Sequence, residues 1–184
     1  MAEWVIKRAA SLVPVPWRNG LGVTRDVETV LHPDGSLRWQ VSIADLVQDA
    51  PFSHFEGIDR VFTPIAGDPA PELAFEGGQF EACPLLVPKR FPGDVPTLSR
   101  IPAPGRAFNA LADRRHHAID VQVLRPGAGQ RIAIPPASVV VLHCHAGSVG
   151  LGPERLEPGD SAIGPGDGAA VADGAATVIL ASFS

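Results

Sequence analysis

The clearest pattern along the chain is an alternation of apolar and polar positions with a period of two. Two runs (Val27, Thr29, Val30, Leu31 and Leu37, Trp39, Val41, Ile43) flank Pro33-Asp34-Gly35-Ser36. Proline presets φ and glycine supplies a positive φ, so this stretch predicts a β-hairpin. In its second strand Trp39, Val41, Ile43 and Asp45 share one face, and Arg38, Gln40, Ser42 and Ala44 share the other. The Trp39 face is expected to be core, ending in a carboxylate. Further β-branched runs predict strands over residues 4–7, 60–65, 118–124, 130–134, 139–144, 160–163 and 177–181. Only residues 43–47 and 109–115 leave room for a helical turn or two.

The strands also repeat. Ala66-Gly67 follows one strand run and Pro92-Gly93-Asp94 comes later; Ala146-Gly147 follows another, with Pro158-Gly159-Asp160 after it. The spacing is 26 residues from Ala66 to Pro92 and 12 from Ala146 to Pro158, so the first copy carries an insertion. A strand, a glycine turn and a Pro-Gly-Asp turn feeding another strand is how a cupin half-barrel reads, and two copies make a bicupin. Closing sheets into barrels also manages the exposed edges of an all-β chain.

Composition agrees. The 184 residues include 19 Gly and 19 Pro, too many for a helix bundle, while 45% hydrophobic and 19% charged residues are ordinary for a globular core. Fifteen basic against 20 acidic residues give a net charge of -5 with no cluster of Lys and Arg, which argues against nucleic acid or an anionic membrane as partner. Cys83 and Cys144 are far apart and form no CxxC, so they are expected to be buried and inert. Two such thiols, a charged N-terminus without an apolar stretch and no run long enough to span a bilayer lead to the expectation of a cytoplasmic protein.

Several chemistries lack their anchors: there is no GxSxG, GxxxxGK[ST] or HExxH, and Gly20-Leu21-Gly22 does not continue to GxGxxG. The one metal-like spacing is His143-Cys144-His145, which would put two imidazoles on one face of a strand. No carboxylate follows nearby and no histidine comes after His145, so His143 and His145 stand only as an alternative to the expectation of no metal and no cofactor. His116-His117 would diverge on a strand.

Groups that bind small polar ligands concentrate in the first 60 residues. Trp17, Asn19 and Arg25 lie in 16–25, Trp39, Ser42 and Asp45 in the strand, and Ser53, Asp59 and Arg60 in 51–60. Glycines beside Asn and Arg let a backbone approach a ligand, and an Arg fork pairs bidentately with a carboxylate. A structural role would serve each residue singly as well: Asn19-Gly20 is a common turn, and tryptophans are most often core.

The phrases Pro16-Trp17-Arg18-Asn19-Gly20-Leu21-Gly22-Val23-Thr24-Arg25-Asp26, Trp39 through Asp45, Pro51-Phe52-Ser53 through Gly57-Ile58-Asp59-Arg60, and Arg106-Ala107-Phe108-Asn109-Ala110-Leu111 with Arg114 resemble the HutD/Ves family in order and spacing. The resemblance implies an all-β bicupin, two fused RmlC-like cupin barrels of jelly-roll type with little helix. The expected division is an N-terminal barrel over 1–115, holding most of the ligand site, and a more degenerate C-terminal barrel over 116–184, with strand exchange between them allowed. The family is bacterial and associated with histidine-utilisation operons. Its members look like accessory or regulatory proteins without an established reaction, and a pocket for a small carboxylate such as urocanate or formylglutamate is implied.

Asn19, Arg25, Trp39, Ser42, Asp45, Ser53, Arg60 and Asn109 match the family motifs and carry over as ligand-binding residues. Leu21, Gln40, Ala107 and Leu111 depart from the pattern, which has Gly, Arg, Asp and Met there; two charges lost at 40 and 107 suggest either a pair lost together or a different ligand. The leading expectation is a non-metal binder of a small anionic metabolite, with Arg25 and Arg60 on the carboxylate, Asn19, Ser53 and Asn109 hydrogen-bonding it and Trp39 as a wall. The alternative is a metal-independent isomerase or hydrolase with Asp45 as general base, although a nearby Arg would weaken that base. Cupins often pair through sheet faces, so a homodimer is one expected assembly.

Overall fold

The computed structural model describes residues 4–17, 20–166 and 170–184. Among them the only helical element is a 3-10 turn at Ala9–Ser11; the rest is strand and turn. The strands are β1 (Val5–Lys7), β2 (Pro14–Pro16), β3 (Val23–Leu31), β4 (Leu37–Leu46), β5 (Ala50–Pro51), β6 (Ile58–Ala66), β7 (Glu72–Phe75), β8 (Glu81–Ala82), β9 (Lys89–Pro92) and β10 (Thr97–Arg100). They continue with β11 (Gly105–Asp113), β12 (Ile119–Leu124), β13 (Arg131–Ile132), β14 (Val139–Ala146), β15 (Val149–Leu151), β16 (Glu154–Leu156), β17 (Ser161–Gly164), β18 (Ala170–Ala172) and β19 (Thr177–Phe183).

The chain divides into two compact units, Val13–His117 and the residues up to Leu12 with Ala118–Ser184. In the first, a six-stranded sheet β2-β3-β4-β11-β6-β9 accompanies a four-stranded sheet β5-β10-β7-β8. In the second, the sheets are β1-β17-β14-β19-β12 and β13-β18-β15-β16. Adding eight to each strand number from β4 to β11 reproduces β12 to β19 in the same sheet order, so each unit contains one eight-stranded, two-sheet jelly roll. The first is extended by the β2 and β3 strands beside β4, and the second by β1 beside β17. Pairing of Val5–Lys7 with Ser161–Ile163 is why the N-terminal segment groups with the C-terminal unit.

The repeat is therefore real, but only part of its sequence signature marks it. Ala66-Gly67 and Ala146-Gly147 do end the equivalent strands β6 and β14. Pro92-Gly93-Asp94 follows β9, whereas Pro158-Gly159-Asp160 precedes the equivalent β17, so the two Pro-Gly-Asp turns are not corresponding corners. The counterpart of Gly159 is Leu86. Leu86 N–H donates to Pro64 O and Gly159 N–H to Cys144 O, each at 2.8 Å, each two residues before the strand's final alanine, and each from a positive φ.

The predicted hairpin forms: Leu31 pairs with Leu37, and His32 N–H donates to Ser36 O at 2.8 Å across the turn. Residues 43–47 and 109–115 are not helical. They fall mostly within β4 and β11, whose long antiparallel ladder supplies the backbone hydrogen bonds a helical turn would have to forgo. Both faces of β4 are buried. Ala44 and Leu46 pack with Phe62, Leu73, Phe91 and Ala107 inside the first barrel, while Trp39, Val41 and Ile43 are buried on the opposite face. Cys83 and Cys144 are buried and free, and burial pushes both thiols up, Cys144 to about 11. No helix among the described residues is long and apolar enough to cross a membrane.

Candidate functional site

A cavity of about 450 Å³ opens in the Val13–His117 unit, on the inner face of its six-stranded sheet. Its floor is set by strand register. Asp26 lies opposite Ser42, Ser42 opposite Asn109, and Gln40 opposite Leu111, which in turn lies opposite Arg60. Directly opposed residues in an antiparallel sheet share a face, so these side chains enter one space. Trp17, Phe52, Ser53 and Phe55 form the remaining walls from the segments beside β2 and β5. Trp17 is fixed by its indole N–H, which donates to Thr24 Oγ1 at 2.6 Å, and Gly22 leaves room for the ring: a Cβ there would lie 2.8 Å from it.

Arg60 dominates the electrostatics. Its Nε and Nη2 donate to Asn109 Oδ1 at 3.2 and 2.7 Å, and its guanidinium lies 4.1 Å from the Phe52 ring centroid. Burial draws its pKa down to about 10, so it stays charged at neutral pH at a cost in desolvation. Among the described residues no carboxylate pairs with it. Asn109 is itself buried, and its oxygen orients the cation without neutralising it. Asp26, on β3, accepts from Gln40 Nε2 at 3.0 Å and from the Thr29 hydroxyl at 3.3 Å, so the cavity carries an acceptor as well as a cation.

Of the residues expected to bind a ligand, the structure brings Ser42, Ser53, Arg60 and Asn109 together. Asn19 lies outside the described residues. Arg25, Trp39 and Asp45 sit on the opposite face of β3 and β4. There Arg25 Nη1 approaches Asp45 Oδ2 at 2.6 Å, with Arg106 Nε 3.2 Å from Oδ1, and Trp39 is buried. Arg25 is thus occupied by a carboxylate of the chain, and Asp45 is out of reach of the cavity. The Ser42 face opens on the cavity, and the Trp39 face does not.

Asp26, Gln40 and Phe52 also line the cavity, although none of them is among the expected ligand-binding residues. The hairpin contained the signal for Asp26: counting back from the Leu31–Leu37 pair puts it opposite Ser42, because two irregularities, one on each strand, cancel. Gln40 and Ala107 share the inner face but stand four residues apart along the ladder, about 13 Å at strand rise, so they are not the two halves of a lost cross-strand pair.

The alternative metal pair lies near the end of β14. Val140, Leu142 and Cys144 point into the second barrel, which puts His143 on the other face, where Nδ1 lies 3.0 Å from Ser161 Oγ. A register shift between Cys144 and Ala146 makes His145 the extra residue of a bulge. Burial, and then the neighbouring His145, push His143 down to about 4, and burial lowers His145 as well.

The sequence profile of HutD matches residues 9–181. The chain belongs to the HutD family. An uncharacterized 21.2 kDa protein in the hutC 3' region of Pseudomonas putida is 31% identical over 105 residues, covering 47% of this chain and 54% of that protein, so the match spans about half the length of this curated relative. HutD from Pseudomonas fluorescens SBW25, determined in a formate condition, superimposes with a TM-score of 0.84 at 26% identity, covering 99% of this chain and all of the other. A cupin 2 conserved barrel domain protein from Leptotrichia buccalis, 9% identical with a TM-score of 0.62 and 92% of each chain covered, shares the fold alone. The all-β, cupin-like architecture that the HutD resemblance implied is the one observed.

Proposed function

We propose that this HutD-family chain binds a small carboxylate in the cavity of its Val13–His117 unit and acts as a cytoplasmic accessory or regulatory protein of histidine utilisation. Arg60 carries the reading: a desolvated guanidinium, oriented by Asn109, backed by Phe52 and unpaired with any described carboxylate. A buried cation of this kind is stabilised by an anion that accepts its remaining N–H groups. Asp26 favours ligands whose far end offers an N–H donor, as the imidazole of urocanate and the amide of formylglutamate do. The setting within histidine breakdown is supported by the family and by the hutC neighbourhood of the Pseudomonas putida relative. Asp45, the base of the enzymatic alternative, lies on the wrong face to serve this cavity.

Thermal unfolding of the intact chain with millimolar urocanate, formylglutamate or glutamate tests the proposal. At least one acid should raise the melting temperature by mass action on the folded state, and Arg60→Met should abolish that rise. No shift with any acid, or an equal shift in the variant, would overturn it.

A further inference from the structure

Away from the cavity, the end of the hairpin and the turn after β11 bring His32, Asp113 and His116 together. Both segments are held by backbone hydrogen bonds. His32 O accepts from Gly35 N–H at 2.9 Å, and Asp113 O accepts from the N–H groups of both His116 and His117 at 3.0 Å. His32 Nε2 lies 3.3 Å from Asp113 Oδ2, and His116 Nε2 lies 3.9 Å from the same oxygen. One donor atom from each residue lies within 4.8 Å of the other two. The Asp113 side chain is 3% exposed and that of His116 is 51% exposed, so the cluster has a buried floor and an open side.

The His32 nitrogen decides what this cluster is. It is buried and close to a carboxylate oxygen, yet it makes no hydrogen bond. An imidazole held there only to bond the carboxylate would turn its N–H onto the oxygen. A nitrogen lone pair and a carboxylate lone pair that both aim at a third point give close approach without alignment. Two donors on one tetrahedral ion, with bonds of about 2.0–2.1 Å, stand about 3.3 Å apart. We propose that His32, Asp113 and His116 bind a divalent transition metal of the zinc class, with the open side of the cluster leaving at least one coordination position to solvent.

Two imidazoles and one carboxylate form a donor set suited to Zn(II), Co(II) or Fe(II). Arg115 supports it as an outer partner, with Nε 3.0 Å from Asp113 Oδ1 and Nη2 2.7 Å from Oδ2, fixing the carboxylate's orientation. The adjacent His117 is not part of the set. It turns inward, where Arg38 Nε donates to its Nε2 at 3.2 Å. The adjacency of His116 and His117 argued against a site only so long as both lay on a strand; here they leave one through a turn.

Co(II) titration of the metal-stripped chain, followed by visible absorption and by calorimetry, tests the site. The expected result is one Co(II) per chain, displaced by Zn(II). His116→Ala should weaken binding at least about tenfold, the low end of what even outer-sphere partners contribute. His116 is half-exposed, so this variant should retain the wild-type circular dichroism spectrum. His145→Ala should bind as the wild type does. Absence of binding at millimolar Co(II), equal binding by His116→Ala, or an equal loss in His145→Ala would each overturn the proposal.

Discussion

Arg60 and Arg25 show how little residue type decides by itself. Both are arginines in motifs rich in ligand-binding groups, but Arg25 meets Asp45 at 2.6 Å whereas Arg60, among the described residues, meets an amide oxygen and aromatic rings and no carboxylate. Removing one partner of a desolvated charge pair costs about 2–5 kcal/mol, so Arg60→Met should weaken carboxylate binding at least about thirtyfold by calorimetry. A second single-residue consequence concerns acid. His143 is buried neutral at about 4 in the folded chain against an ordinary value of 6.5, so between those values the unfolded state binds the extra proton. Stability is therefore unaffected above about pH 6.5 and falls as the pH drops towards 4, by roughly 3 kcal/mol at most. Urea unfolding from pH 7.5 to 4.5 should show that decline. His143→Gln should flatten it, since His145 and His117 are lowered too and supply only the remainder; an unchanged slope would refute the assignment.

At the scale of the element, β4 presents two different surfaces. Ser42 belongs to the cavity, and Asp45 to an ion pair on the other side. Asp45→Asn should accordingly leave ligand affinity within about twofold while lowering stability by about 1 kcal/mol, the upper range for a partly exposed ion pair. Ser42→Leu should do the reverse, filling the cavity floor and abolishing binding with the fold retained. Calorimetry beside denaturant melts separates the two, and loss of binding in Asp45→Asn would reassign the ligand face. The hairpin and nine of the nineteen described strands were legible because alternation and turn chemistry act over a few residues; most of the short strands of the smaller sheets, and β11, carry too little alternation to show. The two Pro-Gly-Asp turns misled for the same reason: local composition repeats without position, and the equivalent of Gly159 is Leu86, a residue no turn rule would select.

The whole molecule repeats one eight-strand jelly roll, and the N-terminal segment belongs to the second copy. Arg8 pairs with Asp160 at 2.9 Å and Glu154 at 2.8 Å, the Ala9 N–H donates to Asp160 Oδ1 at 2.9 Å, and β1 covers the edge of β17. Removing residues 1–12 should therefore lower stability by losing the bonds to Asp160 and uncover a strand edge that invites association. A lower melting temperature with new oligomers by light scattering is expected; an unaltered melt would show that β1 adds nothing. From sequence alone this segment read as the start of the first barrel, because the residues it pairs with lie some 150 positions away.

The sequence by itself determined the all-β character, the hairpin, the membership suggested by ordered motifs and the part of the chain that lines the cavity. These rest on local propensity and on the order of residues along the chain. Only the tertiary structure decided which face of β4 opens on the cavity, which of Arg25 and Arg60 meets a described carboxylate, and that His32, Asp113 and His116 converge. Each of those depends on what covers a strand face or closes a turn, and such contacts join residues whose separation in sequence carries no periodic trace.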